Sequence, residues 1–183
     1  SAALASLPAE WQAIDVLINN AGLVIGVDKE HEGDLDEWDI VIDTNIKSLL
    51  SMTRMVVPGM VERGRGHIIN IGSIHSTVSM NGSPITAYCA SKGGVAMLTK
   101  ALACEWAKHN ITVNAIGPAY FESEMTDQVI NTPEFAQAVM AYCPMGRVGK
   151  PGELDGAVIY FASDASSYTT GQLLTVDGGW TTI

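Results

Sequence analysis

The sequence predicts an α/β chain built on a parallel sheet. Short β-branched runs alternate with longer amphipathic stretches, and the longer stretches carry helix-start and helix-stop residues at their ends. Four buried strands are read at 15–20, 67–71, 111–116 and 172–176, each bounded by Gly, Asn or Asp. Between the first two, a helix over 35–62 opens on Asp34, has Glu37 placed for a capping box, and closes at Gly64. Trp38, Ile42, Leu49, Met52 and Val56 recur at helical spacing and form its inward stripe. A second long helix, 84–108, takes Pro84 in its first turn and directs Tyr88, Val95, Leu98, Leu102 and Trp106 inward. After the third strand come a loop of Gly, Pro and small polar residues and a helical excursion over 125–141. A helix over 151–162 then feeds the last strand and the Asp177-Gly178-Gly179-Trp180 tail. In such sheets ligands bind among the loops beyond the C-terminal strand ends.

Composition suits a single domain over 1–183, with 47% apolar residues, 16% charged residues, 7 prolines, and neither repeats nor linkers. With 10 basic against 20 acidic side chains the net charge is −10, which argues against a nucleic-acid partner. No apolar run approaches the roughly 20 residues of a spanning helix. The opening Ser1-Ala2-Ala3-Leu4-Ala5 lacks a basic signal-peptide start, so a cytoplasmic protein without a membrane partner is expected. Cys89, Cys104 and Cys143 are too widely spaced for a disulfide framework or a zinc site. No metal site is expected. The acids between Asp28 and Asp39 read as a solvated loop and helix start, and His31-Glu32 has Leu35 where a zincin needs its second histidine. Asn81-Gly82-Ser83 and Asn110-Ile111-Thr112 match the glycosylation pattern without other signs of secretion.

The residues richest in chemistry are Tyr88 and Lys92, one helical turn apart on the same face. An ammonium beside a phenol favours the phenolate, which would make the tyrosine a proton donor and acceptor near neutrality. Ser73 follows the second strand in Asn70-Ile71-Gly72-Ser73, where its hydroxyl can face Tyr88 and hydrogen-bond a substrate oxygen. His75 is read as a rim residue of the same site.

Asn19-Asn20-Ala21-Gly22 after a strand, the mid-helix Asn45, Ser73, and Tyr88-Cys89-Ala90-Ser91-Lys92 together resemble the short-chain dehydrogenases/reductases. Gly117-Pro118, Gly149-x-Pro151-x-Glu153 and Asp177-Gly178-Gly179 extend that resemblance along nearly the whole chain. Residues 7–73 look most like serine and 3-hydroxy-acid dehydrogenases, and the part from residue 84 onward looks more like gluconate or sugar-alcohol dehydrogenases and 3-ketoacyl reductases.

The resemblance implies a three-layer Rossmann-like parallel sheet and an NAD- or NADP-dependent exchange between a secondary alcohol and a ketone. Tyr88 would be the general acid/base, Lys92 would tune it and hold the nicotinamide ribose, and Ser73 would orient the substrate oxygen. Asn45 would interrupt its helix and bind a water serving Lys92. Asn20, Ala21 and Gly22 would border the adenosine side, with Gly117, Pro118 and Ser123 near the nicotinamide. Two departures stand out: Ala119 where the family has Gly, and Ser123 where it has Thr.

A larger departure is that no Gly-x-x-x-Gly-x-Gly or Gly-x-Gly-x-x-Gly occurs, so the sheet is expected to be incomplete, lacking its first strands and the glycine-rich turn that holds the pyrophosphate. The deficit would be on the order of 60 to 80 residues, and on that ground the dinucleotide is expected to be held incompletely by this chain or absent from it. Two other functions compete. One is a cofactor-independent esterase using Ser73 with Tyr88 and Lys92 as its base, although no Gly-x-Ser-x-Gly elbow or Ser-x-x-Lys is present. The other is a non-catalytic assembly partner. A homo-oligomer is expected, covering the open edge of the first strand.

Overall fold

The structure, a computed structural model, describes Leu4, residues 6–123, Thr126 and residues 130–182. Four parallel strands form one sheet in the order β1 (Val16–Asn19), β2 (Gly66–Ile71), β3 (Ile111–Pro118) and β4 (Leu173–Val176). β2 and β3 are largely buried between helices and so can be near-continuous apolar runs, while β1 alternates buried and exposed positions and β4 is half-buried. One face packs Leu17, Ile68, Ile111 and Val113 against Val56, Met60, Leu102 and Trp106 of two long helices. The opposite face packs Ile69 and Ile116 against Ala157 and Phe161. A third cluster of Ile74, Phe135, Val139, Cys143 and Trp180 closes the end beyond the C-terminal strand tips. The arrangement is the three-layer Rossmann-like one expected. β1 has an open edge, and Ile18 on it is 44% exposed.

The helix after β1 is not continuous. It divides into α1 (Leu35–Ile42), a π-helical turn (Asp43–Lys47) and α2 (Ser48–Arg63), with the Ser48 amide donating to Asp43 O. Asp34 caps α1 through the Asp36 amide at 2.9 Å, and the reciprocal Glu37 bond of a capping box is not made. Gly64 ends α2 in the left-handed region at φ 65°, where a Cβ is costly. The buried stripe is Val41, Asn45, Leu49, Thr53, Val56 and Met60, and the expected Met52 is 38% exposed. Apolar periodicity misplaced that stripe because two of its members are polar. Thr53 accepts from Asn19 Nδ2 at 3.0 Å, and the same amide donates to Asn70 Oδ1 at 2.9 Å. Asn70 Nδ2 in turn donates to Thr99 Oγ1 at 2.9 Å, so a satisfied polar ladder ties β1 and β2 to both helices.

The second long helix, α3 (Thr86–Trp106), begins two residues after Pro84 and buries Ser91, Lys92, Val95, Thr99, Leu102 and Trp106, while Tyr88 and Leu98 are half-buried. The excursion expected over 125–141 is seen as α4 (Pro133–Tyr142), capped by the Thr132 side chain; Met125 and residues 127–129 lie outside the described residues. The last helix, α5 (Asp155–Phe161), starts four residues later than expected, because Gly152 at φ 88° bends the chain out of helical geometry. Among the described residues no helix is long and apolar enough to cross a membrane, and no group of His, Cys, Asp and Glu is placed to hold a metal ion.

Candidate active site

The site forms where β2 and β3 end. Gly72 lets the two strand ends stay close, since a Cβ there would stand 3.0 Å from Ser76 Oγ and 3.3 Å from Ile116 O. Ser73 is extended and caps a 3₁₀ turn (Ile74–Ser76). Its Oγ accepts from the His75 amide at 3.1 Å while its own amide donates to Ser76 Oγ at 3.2 Å. The Ser73 hydroxyl is thus fixed in position, and it lines the same cleft as the phenol of Tyr88 from the first turn of α3, close enough to favour the phenolate.

Lys92 lies one turn further along α3 and donates from Nζ to Ile71 O at 2.8 Å. Its ammonium sits over the face of the Tyr88 ring, 5.6 Å from the centroid. Burial lowers the Lys92 pKa from 10.5 to about 8. Burial also raises the Tyr88 phenol above its ordinary value, with the Ser73 bond opposing that rise. The expectation that Lys92 depresses the Tyr88 pKa is therefore not met in this geometry: the ammonium approaches the ring face and spends a donor on Ile71. In this state the pair is an un-ionised phenol backed by a weakened cation, which is the proton-donating form.

Asn45 sits in the π-helical turn and is 1% exposed. Its Oδ1 accepts from the Leu23 amide at 2.9 Å, and its Nδ2 donates to Leu23 O at 3.0 Å and to Ser91 Oγ at 2.9 Å. The side chain is thereby committed to holding the strand-exit segment against α3. Gly22 in that segment lies over the site, where a Cβ would stand 3.2 Å from Lys92 Nζ and 3.4 Å from Asn45 Oδ1.

Asn20 and Ala21 are exposed beyond β1 and border a shallow depression with Ser48 and Met52. Gly117 is buried at the end of β3, where a Cβ would meet Ser73 O at 3.2 Å, and Pro118 ends that strand half-buried. Ser123 is placed apart from this group: it is exposed, and its Oγ lies 3.0 Å from Thr126 Oγ1. The structure thus brings Ser73, Tyr88, Lys92, Asn45, Gly22 and Gly117 together, with Asn20, Ala21 and Pro118 at the margins.

A cleft of about 280 Å³ opens above Ser73 and Tyr88. Its walls include Val24, Ile74 and Ile85, and His75, Tyr120 and Thr126 also face it. His75 Nδ1 lies 3.1 Å from Val78 O, and Nε2 lies 3.4 Å from the Tyr120 hydroxyl. Burial lowers the His75 pKa, with the Val78 bond opposing, so the ring is neutral near pH 7. Sequence reasoning passed over Tyr120 and Thr126. Tyr120 carried a usable signal, being a polar aromatic just past the C-terminal end of a parallel strand.

Residues 1–181 match the family model described as enoyl-(acyl carrier protein) reductase. The chain is 38% identical to gluconate 5-dehydrogenase of Gluconobacter oxydans over 97% of its own length and 68% of that protein. It is 42% identical to a 3-oxoacyl-acyl-carrier-protein reductase of Thermotoga maritima, over 93% of this chain and 67% of the relative. Among solved structures, a gluconate 5-dehydrogenase from Burkholderia cenocepacia, in complex with NADP and tartrate, superposes with a TM-score of 0.94 at 36% identity, covering 100% of this chain and 70% of that one.

Proposed function

The chain belongs to the short-chain dehydrogenase/reductase family, and we propose that it interconverts a secondary alcohol and a ketone with NAD or NADP, Tyr88 moving the proton. The observation that carries this reading is that the Tyr88 phenol and the Ser73 hydroxyl line one cleft, with the buried Lys92 ammonium behind them over the Tyr88 ring.

The residues present fit the ribose and nicotinamide end of such a cofactor. Lys92 is 4% exposed, and only one of its three ammonium hydrogens has a partner in the described contacts, at Ile71 O, which leaves donors for ribose hydroxyls. Gly22 leaves space above that ammonium that a Cβ would fill. A reduced nicotinamide bound there supplies a hydride to a carbonyl carbon.

Ser73, held by the His75 amide and the 3₁₀ turn, donates a hydrogen bond to the carbonyl oxygen and fixes its position beside Tyr88. Tyr88 gives its proton to that oxygen as negative charge develops, so the ketone gains one hydride and one proton and becomes the alcohol. The phenolate left behind is reprotonated from solvent, and Lys92 stands one turn away with donors free for the ribose. In the oxidative direction the same phenolate accepts the alcohol proton. Asn45 acts at one remove, by holding Leu23 and Ser91. A phenol kept protonated by burial is poorly suited to deprotonate Ser73, so the geometry gives no support to the esterase alternative.

The test is oxidation of NADH or NADPH by the full chain with a panel of ketones. The reading expects turnover with at least one nicotinamide, and its loss on Ser73→Ala to a rate roughly a hundred- to a thousandfold lower. No reduction of any carbonyl with either nicotinamide at saturating concentration removes the reading.

A further inference from the structure

We infer that the cleft above Tyr88 selects an uncharged carbonyl compound or alcohol over a carboxylate or phosphate of the same shape. This rests on the oxidoreductase reading and narrows the substrate class of that same site. Among the described residues, the polar side chains facing the cleft are Ser73, His75, Ser83, Tyr88, Tyr120 and Thr126. Each is neutral at pH 7. His75 is the only one of them that could become a cation near that pH, and its burial and its carbonyl partner at Val78 leave it an un-ionised ring bridging to Tyr120.

The cations nearby are already engaged. Lys92 lies against the Tyr88 ring and bonds Ile71 O, outside the lining of the cleft. Arg147 is held in a two-pronged pair with Glu153 at 2.8 Å on both prongs. The sequence supplies no others to two of the walls: there is no Lys or Arg between Gly66 and Ser91, and none between Asn110 and Gly146. The second interval spans Met125 and residues 127–129, so that segment brings no cation whatever its position. The remaining wall, residues 24–27, is followed by Lys29 set among Asp28, Glu30 and Glu32, all exposed.

An anion entering this cleft would lose water without gaining an opposite charge, and a chain of net charge −10 also repels it on approach. A neutral substrate escapes both penalties. Its carbonyl meets Ser73 and Tyr88, its apolar body meets Val24, Ile74 and Ile85, and any further hydroxyl finds Ser83, Tyr120, Thr126 or His75. The gluconate 5-dehydrogenase relatives are named for a sugar acid, so the inference separates this chain from them by the charge of its substrate.

The experiment compares methyl acetoacetate with acetoacetate, two 3-oxo compounds differing in one charge, on the full chain free of nicotinamide, whose oxidised ring would itself bring a positive charge. Binding is read by amide chemical shifts around Ser73 and Tyr120, and reduction is read separately with NADPH and with NADH. The ester is expected to bind at least about a hundredfold more tightly than the acid. Val27, 60% exposed at the cleft mouth, can be changed without disturbing the core. Val27→Lys should improve binding of the acid roughly three- to tenfold over Val27→Gln, which has no charge. Acid binding within about threefold of the ester, a lysine variant no better than the glutamine one, or failure of the ester to bind overturns the inference. Ester binding without reduction of the ester or of any ketone in the panel by either nicotinamide supports the charge inference and removes the oxidoreductase reading instead.

Discussion

Replacing Lys92 by methionine keeps a long unbranched side chain in the helix while deleting an ammonium that burial disfavours. Lys92 has a folded-state pKa of about 8 against 10.5 for the free side chain, so below pH 8 the folded protein carries a charge that the unfolded chain holds more easily. As pH rises from 8 towards 10.5, the folded state has released its proton while the unfolded state retains it. Stability must therefore increase over that window, by up to about 1.4 kcal/mol per pH unit. Integrated between pH 7 and pH 10, the relief is about 2.5 kcal/mol.

Lys92→Met lacks this term. The stability of the variant minus that of the wild type should consequently fall by about 2.5 kcal/mol between those two pH values, since groups common to both proteins cancel. Urea unfolding of both proteins at each pH gives the number directly. A difference that stays constant, or moves in the opposite direction, refutes the argument that burial at this position disfavours the charge. The variant should also lose reductase activity, which separates the destabilising charge from its use in the site.

Other positions give independent checks. Asn45→Ala removes three hydrogen bonds to Leu23 and Ser91 and should cost about 2 to 4 kcal/mol in urea unfolding; a loss below about 1 kcal/mol contradicts the positioning role assigned to that amide. Gly149→Ala would drive a Cβ into the Phe121 ring, displacing the strand exit that carries Tyr120, so it should lower Tm and raise KM together; an unchanged Tm contradicts the contact. The reductive kcat/KM should fall as pH rises through about 8, where Lys92 loses the charge with which it would hold the cofactor ribose, and a flat profile to pH 10 would speak against that role.

Much of this architecture is legible in the sequence because its signals are local. β-branched runs mark the strands, Asp34 and Gly64 mark two helix ends through capping chemistry, and Tyr88 and Lys92 share a helix face by spacing alone. What escaped depends on partners distant in sequence. The helix interruption at Asn45, a π-helical turn, was implied by the family resemblance and not by local pattern, because the partners of Asn45, Leu23 and Ser91, lie 22 and 46 residues away. The ladder of Asn19, Asn70, Thr53 and Thr99 makes polar residues part of the interior, a pattern that apolar periodicity counts as surface. Ser123 was placed beside the nicotinamide by family pattern, yet its hydroxyl pairs with Thr126, and Thr126 is the one that reaches the cleft. The sign of the Tyr88 shift was missed for a related reason: spacing shows that two side chains share a face, and only three-dimensional geometry shows that the ammonium lies over the ring instead of at the hydroxyl.

The central claim, that Tyr88 carries the proton of a nicotinamide-dependent carbonyl reduction, is tested most directly by steady-state nicotinamide oxidation with Tyr88→Phe beside the wild type. Phenylalanine keeps the ring that packs against His75 and under Lys92 and removes only the hydroxyl. The account predicts that kcat falls by roughly a hundred- to ten-thousandfold while nicotinamide and ketone binding stay within a few-fold of wild type. A Tyr88→Phe protein that turns over at the wild-type rate contradicts it.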